Sequence, residues 1–509
     1  MKISDYLQKK PWSRRVVTGT TQNATVTTGA TPVDTAMKLP SGKNEYFNQD
    51  RFMDELHSGS HIIYNIGYRS MRPKFEYDLK TNKNVIKGYE DVVRSPVSWQ
   101  EAIRGNKVAT CGGNPIWIGN ESGEAGAEKV NTIKAYANTA NIQSAFLQHF
   151  NAIFGTGDGA LYFYRDGDEV KWKCFSYEEG DNCTVGRDRE YPDREMGIRY
   201  FSYEGYDAVE FYRDETIELY VKFKDEETMR QYFPDAIGEM TEDDYYLIKN
   251  TKHGLDESPF CYYREADVPW GGVQHNIEDF EDKVSDCGEN IKYYAYQMLW
   301  LSGGAISLPD VNFGGKVIGS TTQDGDAKIL EPADASNILD IGFKKIYNAI
   351  CDGSKSVFIK PEDLKGQNDS GAYIANLYWP ELQWATMFYG RYTHCVQKIL
   401  SVFKKLVGLI EKDMGSYSAI KMSYAFEPYI PKNKLEQTTI LQQAVTGGFL
   451  SVETATEEFD SANPQELERL KRESNEKEKK QAREMEMRKQ QQPPQPAMKD
   501  PDDSKKSDK

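Results

Sequence analysis

The chain has 509 residues, of which 39% are hydrophobic and 12% aromatic, and a formal net charge of -16. That length supports several domains with real cores, while the acidic balance excludes a protein that grips nucleic acid with an overall basic surface. Seven cysteines without a C-x-x-C, and without a cysteine–histidine set at zinc-finger spacing, argue against a zinc module and are read as free buried thiols of a reducing compartment. Residues 1–30 carry no apolar signal-peptide core, and the apolar stretch Ile399–Ile410 is interrupted by Lys404 and Lys405, so neither an export signal nor a membrane span is expected.

Residues 1–43 are rich in Thr, Gly, Ala and Asn beyond Lys10, and are read as a flexible arm that orders on a partner. From 44 to 267 the pattern is mixed. Ile142–Phe154 has the period of a helix, and Gly159–Tyr164 and Val170–Phe175 flank Asp166-Gly167-Asp168, a hairpin signal. Strand-like runs follow at Ile198–Tyr203, Val209–Arg213 and Ile217–Phe223, which makes this an α+β region with meandering antiparallel strands.

After Pro269 and Gly271-Gly272 the period changes. Ile277, Phe280, Val284, Cys287, Ile291, Tyr294, Met298 and Leu301 fall at alternating gaps of three and four, the seam of one long helix that packs along its length on copies of itself. At 1.5 Å per residue such a helix spans about 37 Å. Residues 303–333 are short and glycine-rich. A second helix, 334–351, would turn Ala335, Ile338 or Leu339, Gly342, Ile346 and Ile350 inward, and a loop, 352–369, leads to a long helix from about Ser370 to Ile410. Asp369 or Ser370 would cap that helix, and Pro380 would kink it. Asn433 with Glu436 starts a small helix, Gly447-Gly448 stops it, Ser451 caps the next, and Asn463-Pro464 opens another of nearly pure charge. Residues 490–509 are expected to be disordered.

The sequence holds no phosphate-cradling G-x-x-x-x-G-K-[ST] loop, no H-E-x-x-H and no G-x-S-x-G elbow. Asp166-Gly-Asp168 and Asp324-Gly-Asp326 do not continue into calcium-loop spacing and read as turns. Glu242-Asp243-Asp244 reads as an acidic turn rather than a nuclease metal site. No catalytic residue, metal or cofactor is assigned.

Four stretches carry a resemblance. They are "FNAIFGTGDGALYFYRDGD" at 150–168, Gly254-Leu-Asp-Glu-Ser-Pro-Phe260, the run Ile346–Glu381, and "EQTTILQQAVTGGFLSVETATEEF" at 436–459 with Glu466–Leu470 behind it. In order and spacing they resemble the portal proteins of tailed bacteriophages, in particular the group first defined in Bacillus siphophages. The resemblance implies a portal fold: an α/β wing (44–267), a two-helix stem (268–302 and 334–351), a small clip (303–333), a tunnel loop (352–369), a long kinked helix returning to the wing (370–432) and an α-helical crown (433–489), assembled as a ring. The eight seam residues would then pack the stem, and Lys355, Lys360 and Lys365 of the tunnel loop would meet DNA.

It further implies a homo-oligomer, usually a dodecamer, at the capsid vertex of the virion, assembled in the host cytoplasm and active in genome packaging, retention and ejection. The implied partners are double-stranded DNA passing non-specifically, the terminase large subunit, a head-completion or neck adaptor protein, and the major capsid or scaffolding protein, with no membrane. Twelve helices about 10 Å apart form a circle about 120 Å round, which leaves an opening of roughly 28 Å, enough for a duplex. An acidic wall at that clearance favours sliding over binding. The competing expectation is another structural virion component, a neck adaptor or minor capsid protein, without a DNA channel.

Overall fold

The structure is a computed structural model that describes residues 49–78, 83–187, 195–241, 243–294, 298–302, 326–330, 336–359, 375–430 and 434–451, with Ala455, Thr456, Phe459 and Arg472. It forms two compact units, residues 1–363 with 377–430, and residues 364–376 with 431–509. The elements of the first unit are, in chain order, α1 (Gln49–Leu56), β1 (Arg72–Asp78), β2 (Lys83–Glu90), α2 (Trp99–Gly112), β3 (Trp117–Asn120), α3 (Glu124–Thr139), α4 (Ile142–Thr156), β4 (Asp158–Asp166) and β5 (Glu169–Phe175). Next come β6 (Asn182–Arg187), β7 (Glu195–Tyr203), β8 (Tyr206–Tyr212), β9 (Thr216–Lys222), α5 (Glu226–Tyr232), β10 (Tyr245–Lys252) and β11 (Phe260–Arg264). The unit closes with α6 (Gln274–Tyr294), β12 (Met298–Ser302), β13 (Asp326–Leu330), α7 (Ser336–Ser354), α8 (Trp379–Ile410), α9 (Met414–Ser418) and β14 (Met422–Ala425). The architecture is α+β.

The expected hairpin is present. β4 and β5 pair from Ala160↔Phe175 to Asp166↔Glu169, and the two-residue loop turns on Gly167, whose φ of 63° is the left-handed geometry that glycine accepts most cheaply. β11 adds on the other side of β4, and β6 to β10 form a separate antiparallel meander in sequence order. The largest core lies where α8 crosses α4 and the β11-β4-β5 sheet. Ala385, Phe388, Tyr392, Val396, Ile399, Phe403 and Leu406 recur every three or four residues on one buried face. Phe388 packs edge-on to Phe150 and Phe154 at centroid separations of 5.3 and 4.8 Å. Each such fully buried ring contributes about 1.5–3 kcal/mol by leaving water.

Two expectations about helix ends are corrected. The helix through the seam stops at Tyr294, and Met298 and Leu301 lie instead on β12, opposite Leu330 and Ala327 of β13. A short apolar run, Met298-Leu-Trp-Leu301, suits a paired strand as well as a last helical turn, and the partner strand decides between them. The long helix begins at Trp379 after a break at Tyr378, so Pro380 sits in its first turn and does not kink it. A first-turn N–H has no partner within the helix, and a residue that lacks one is at no disadvantage there.

α7 runs three residues past the expected end at 351, to Ser354. The arm 1–43, residues 303–325, and Lys360 and Lys365 lie outside the described residues. In the second unit, α10 (Lys434–Thr446) ends as expected at the glycine pair. Gly448 has a φ of 74°, its N–H donates to the Val445 carbonyl, and the Phe449 N–H reaches back to Ala444. Asn433, the expected partner in the capping box, lies outside the described residues.

Candidate functional site

α6 and α7 form an antiparallel two-helix layer rooted in a small apolar core. Phe52, Leu56, Ile103, Trp270, Val273, Ile277 and Ile350 are buried together there. The Trp270 indole N–H donates to Glu55 Oε2 at 3.1 Å. Burial raises the Glu55 carboxyl to about 7 against the opposing pull of Arg51. Farther along, Phe280 lies edge-on to Trp99 at 6.0 Å and against Phe343 of α7 at 5.4 Å.

The face of α6 that the chain buries most completely is polar. Glu281, Ser285 and Glu289 follow Ile277 at intervals of four, and all are buried. They receive the main chain of the extended segment 93–97: the N–H of Val97 donates to Glu281 Oε1 at 2.8 Å, that of Ser95 to Ser285 Oγ at 2.9 Å, and that of Val93 to Glu289 Oε1. The match is one of repeat lengths. Four helical residues rise about 6 Å and two extended residues about 6.6 Å, so alternate N–H groups of the segment meet successive turns of the helix. His61 Nδ1 lies 2.6 Å from Glu281, and Arg72 reaches Glu289 at 2.9 Å, so both carboxylates have basic partners. The apolar seam did not point to this stripe, because polar residues at helical spacing ordinarily mark the solvent face; the only signal was Glu-x3-Ser-x3-Glu.

The seam itself divides. Ile277 is buried, Phe280, Val284 and Cys287 are half-buried, and Ile291 is 71% exposed. Tyr294 closes α6, and Met298 and Leu301 stand on β12. The distal part of the predicted packing face is therefore open in the single chain.

Of the three tunnel-loop lysines, only Lys355 is among the described residues. It terminates α7 with a φ of 51°, its N–H donating to the Asp352 carbonyl and the next N–H, of Ser356, to Cys351. The Lys355 carbonyl accepts from the ammonium of Lys107 at 2.7 Å. Lys107 also pairs with Glu381 at 3.0 Å, and both side chains are 0% exposed. Glu381 in turn accepts from the Val357 N–H and from Asn106, each at 3.0 Å. Burial lowers the pKa of Lys107, and Glu381 works against that shift. One buried ion pair thus joins the exit of α7, the start of α8 and helix α2. It escaped sequence reading because its partners lie 274 positions apart. Phe358 packs beside it, with its ring 5.5 Å from Trp99.

Among the described residues no group of three or more His, Cys, Asp or Glu side chains could hold a metal ion, and no helix is long and apolar enough to cross a membrane. What the geometry offers is a scaffold: a two-helix layer with a polar anchor on one side, an open apolar and charged surface on another, and a buried clamp at its exit. Such a site serves assembly rather than bond chemistry.

The family model described as "Phage portal protein, SPP1 Gp6-like" matches residues 76–480, so the chain belongs to the phage portal protein family. That family is structural and non-enzymatic, a component of the bacteriophage virion, and its members act as the portal at the capsid vertex. No curated protein matches the chain. Among solved structures the chain is similar to one from the "Neck of empty GTA particle computed with C6 symmetry", at 9% identity and a TM-score of 0.33, covering 69% of this chain and 86% of that one. A chain from the "Virion of native gene transfer agent (GTA) particle" has 10% identity and a TM-score of 0.34 over 69% and 85%. A third, from the "Neck of native GTA particle computed with C12 symmetry", has 10% identity and a TM-score of 0.31 over 71% and 88%. The family assignment rests on the sequence match alone.

Proposed function

We propose that this portal protein works as a closed homo-oligomeric ring, a dodecamer, through which double-stranded DNA passes without sequence readout during packaging, retention and ejection. The observation that carries the reading is the family match over residues 76–480. Supporting it, the distal seam of α6 is left uncovered by its own chain, as expected of a helix that packs on a neighbour. In this reading α6, β12, β13 and α7 are the stem and the adjoining clip. The terminase large subunit and later the neck adaptor dock at the clip end, and the capsid or scaffolding protein meets the wing.

The tunnel-loop lysines Lys355, Lys360 and Lys365 touch passing phosphates lightly, each contact weak and screened by salt. An acidic chain of net charge -16 otherwise holds DNA off the wall. Native mass spectrometry and class-averaged electron micrographs of the purified protein test the ring: closed rings with a central hole are expected, and a monomer at every protein and salt concentration would refute it.

A further inference from the structure

The inference deepens the ring reading, on which it rests, by naming the two surfaces that meet between neighbouring copies. α6 and α7 run antiparallel, with the Phe280 and Phe343 rings 5.4 Å apart and Ile277 and Ile350 in one core cluster. At about 100° per residue, Asp279, Asp282 and Asp286 lie roughly 100–160° around α6 from Phe280, and Ile341, Lys344 and Lys345 lie roughly 100–160° around α7 from Phe343. Both sets therefore turn away from the partner helix, toward the two outer edges of the layer. One edge carries carboxylates and the other ammonium groups. Because the helices are antiparallel and Phe280 lies beside Phe343, Asp279 and Lys344 stand at about the same height along the layer.

Exposure agrees with this placement. The Asp286 side chain is 67% exposed, Ile341 is 57% exposed, and Lys344 and Lys345 are both exposed. The acidic edge also has an apolar element. The Tyr68 hydroxyl donates to Asp282 at 2.5 Å, and its exposed ring lies beside the carboxylates. Arg69 bridges Asp282 and Asp286, and Lys283 holds Asp279, which orders these carboxylates while they remain in contact with solvent. Each edge thus combines one apolar side chain with charge of one sign, and the signs are opposite.

We propose that the Ile341, Lys344 and Lys345 edge of α7 in one copy docks on the Asp279, Asp282 and Asp286 edge of α6 in the next copy, with Ile341 entering beside Tyr68. Two different surfaces on opposite edges make a head-to-tail contact, the kind that generates rings when its rotation closes. The commitment to a second copy rests on charge complementarity: each edge finds its opposite on an identical chain.

A charge exchange tests this. Lys344→Glu with Lys345→Glu makes both edges acidic, and Asp279→Lys with Asp286→Lys makes both basic. Each double variant alone is expected to keep its circular dichroism spectrum yet sediment as a monomer, whereas a one-to-one mixture closes rings with the two variants in equal number, read by native mass spectrometry. Rings formed by the folded Lys344→Glu, Lys345→Glu protein alone at wild-type concentration overturn the proposal, and so does a folded mixture that stays monomeric. Normal rings with less retained DNA would also overturn it, by placing these lysines against DNA. Because Asp279 and Asp286 have partners in their own chain, Asp279→Asn with Asp286→Asn is measured alongside. It is expected to raise the concentration needed for rings about tenfold, and rings at the wild-type concentration refute the contact. Absence of rings from the wild-type protein is a separate result, which refutes the ring reading itself.

Discussion

Helices α8 and α6 read alike as amphipathic patterns, yet the fold uses them in opposite ways. α8 buries its apolar stripe from Ala385 to Leu406 in the largest core of the chain. α6 buries a polar stripe, Glu281, Ser285 and Glu289, against main-chain N–H groups, and leaves Ile291 largely in solvent. The first helix is held by area removed from water, the second by matched hydrogen bonds, which contribute little net stability but are costly to leave unmade. A helix fixed by its polar side can offer apolar residues to another chain without loosening its own.

The largest effect should separate the two helices directly. Phe388→Ala removes a ring that is 0% exposed and is expected to destabilise the chain by about 3–5 kcal/mol. Ile291→Ala on α6 should change the stability of the unassembled chain by less than about 0.5 kcal/mol, while weakening assembly. Denaturant midpoints measured on monomer, beside the ring population of each variant, decide it; equal destabilisation would mean that Ile291 is covered within its own chain.

The foot of α6 supplies the next effect, which depends on pH. Burial raises Glu55 from 4.5 to about 7, so between those values the folded chain holds a proton that the unfolded chain releases. Its contribution is complete below about 4.5 and is lost as pH rises through about 7. At 1.36 kcal/mol per pH unit the change approaches about 3 kcal/mol. Glu55→Gln keeps an acceptor for Trp270 and cannot ionise. Melting curves at pH 5 and 8 should show the variant gaining on the wild type at the higher pH; a constant difference would mean that the carboxyl is not desolvated.

Ser285→Ala should cost about 1–3 kcal/mol, because the Ser95 N–H loses its acceptor in a partly buried place. Faster hydrogen exchange confined to residues 93–97 is the signature, and unchanged exchange at the Ser95 amide would show that water replaces the hydroxyl without penalty.

Much of the fold was legible from local pattern. The Gly167 hairpin, helix α4, the strands β7 to β9 and the glycine stop of α10 each follow from period, turn chemistry or capping within a few residues. What stayed hidden is non-local. The Lys107–Glu381 pair and the clasp of segment 93–97 on α6 join residues roughly 190–275 positions apart, and no short-range pattern reports them. The end of α6 at Tyr294 was equally out of reach, because the strand that claims Met298 and Leu301 begins at Asp326.

Lys355 lies where the two kinds of anchoring meet, and it yields the smallest and most discriminating effect. Its backbone closes α7 in the left-handed region, where a residue with a Cβ is strained by about 1 kcal/mol relative to glycine. Its carbonyl is gripped by Lys107, while its ammonium group is the part assigned to DNA. Lys355→Gly keeps the carbonyl, relieves the strain and removes only the charge, so the melting temperature should stay level or rise slightly. Lys355→Ala removes the same charge but keeps the strain, and should melt slightly below the glycine variant. If the ammonium group meets phosphate in the channel, both variants form normal rings and protect less DNA from nuclease in assembled particles, by the same amount. Protected DNA equal to wild type in both, with rings intact, would assign Lys355 to the helix end alone.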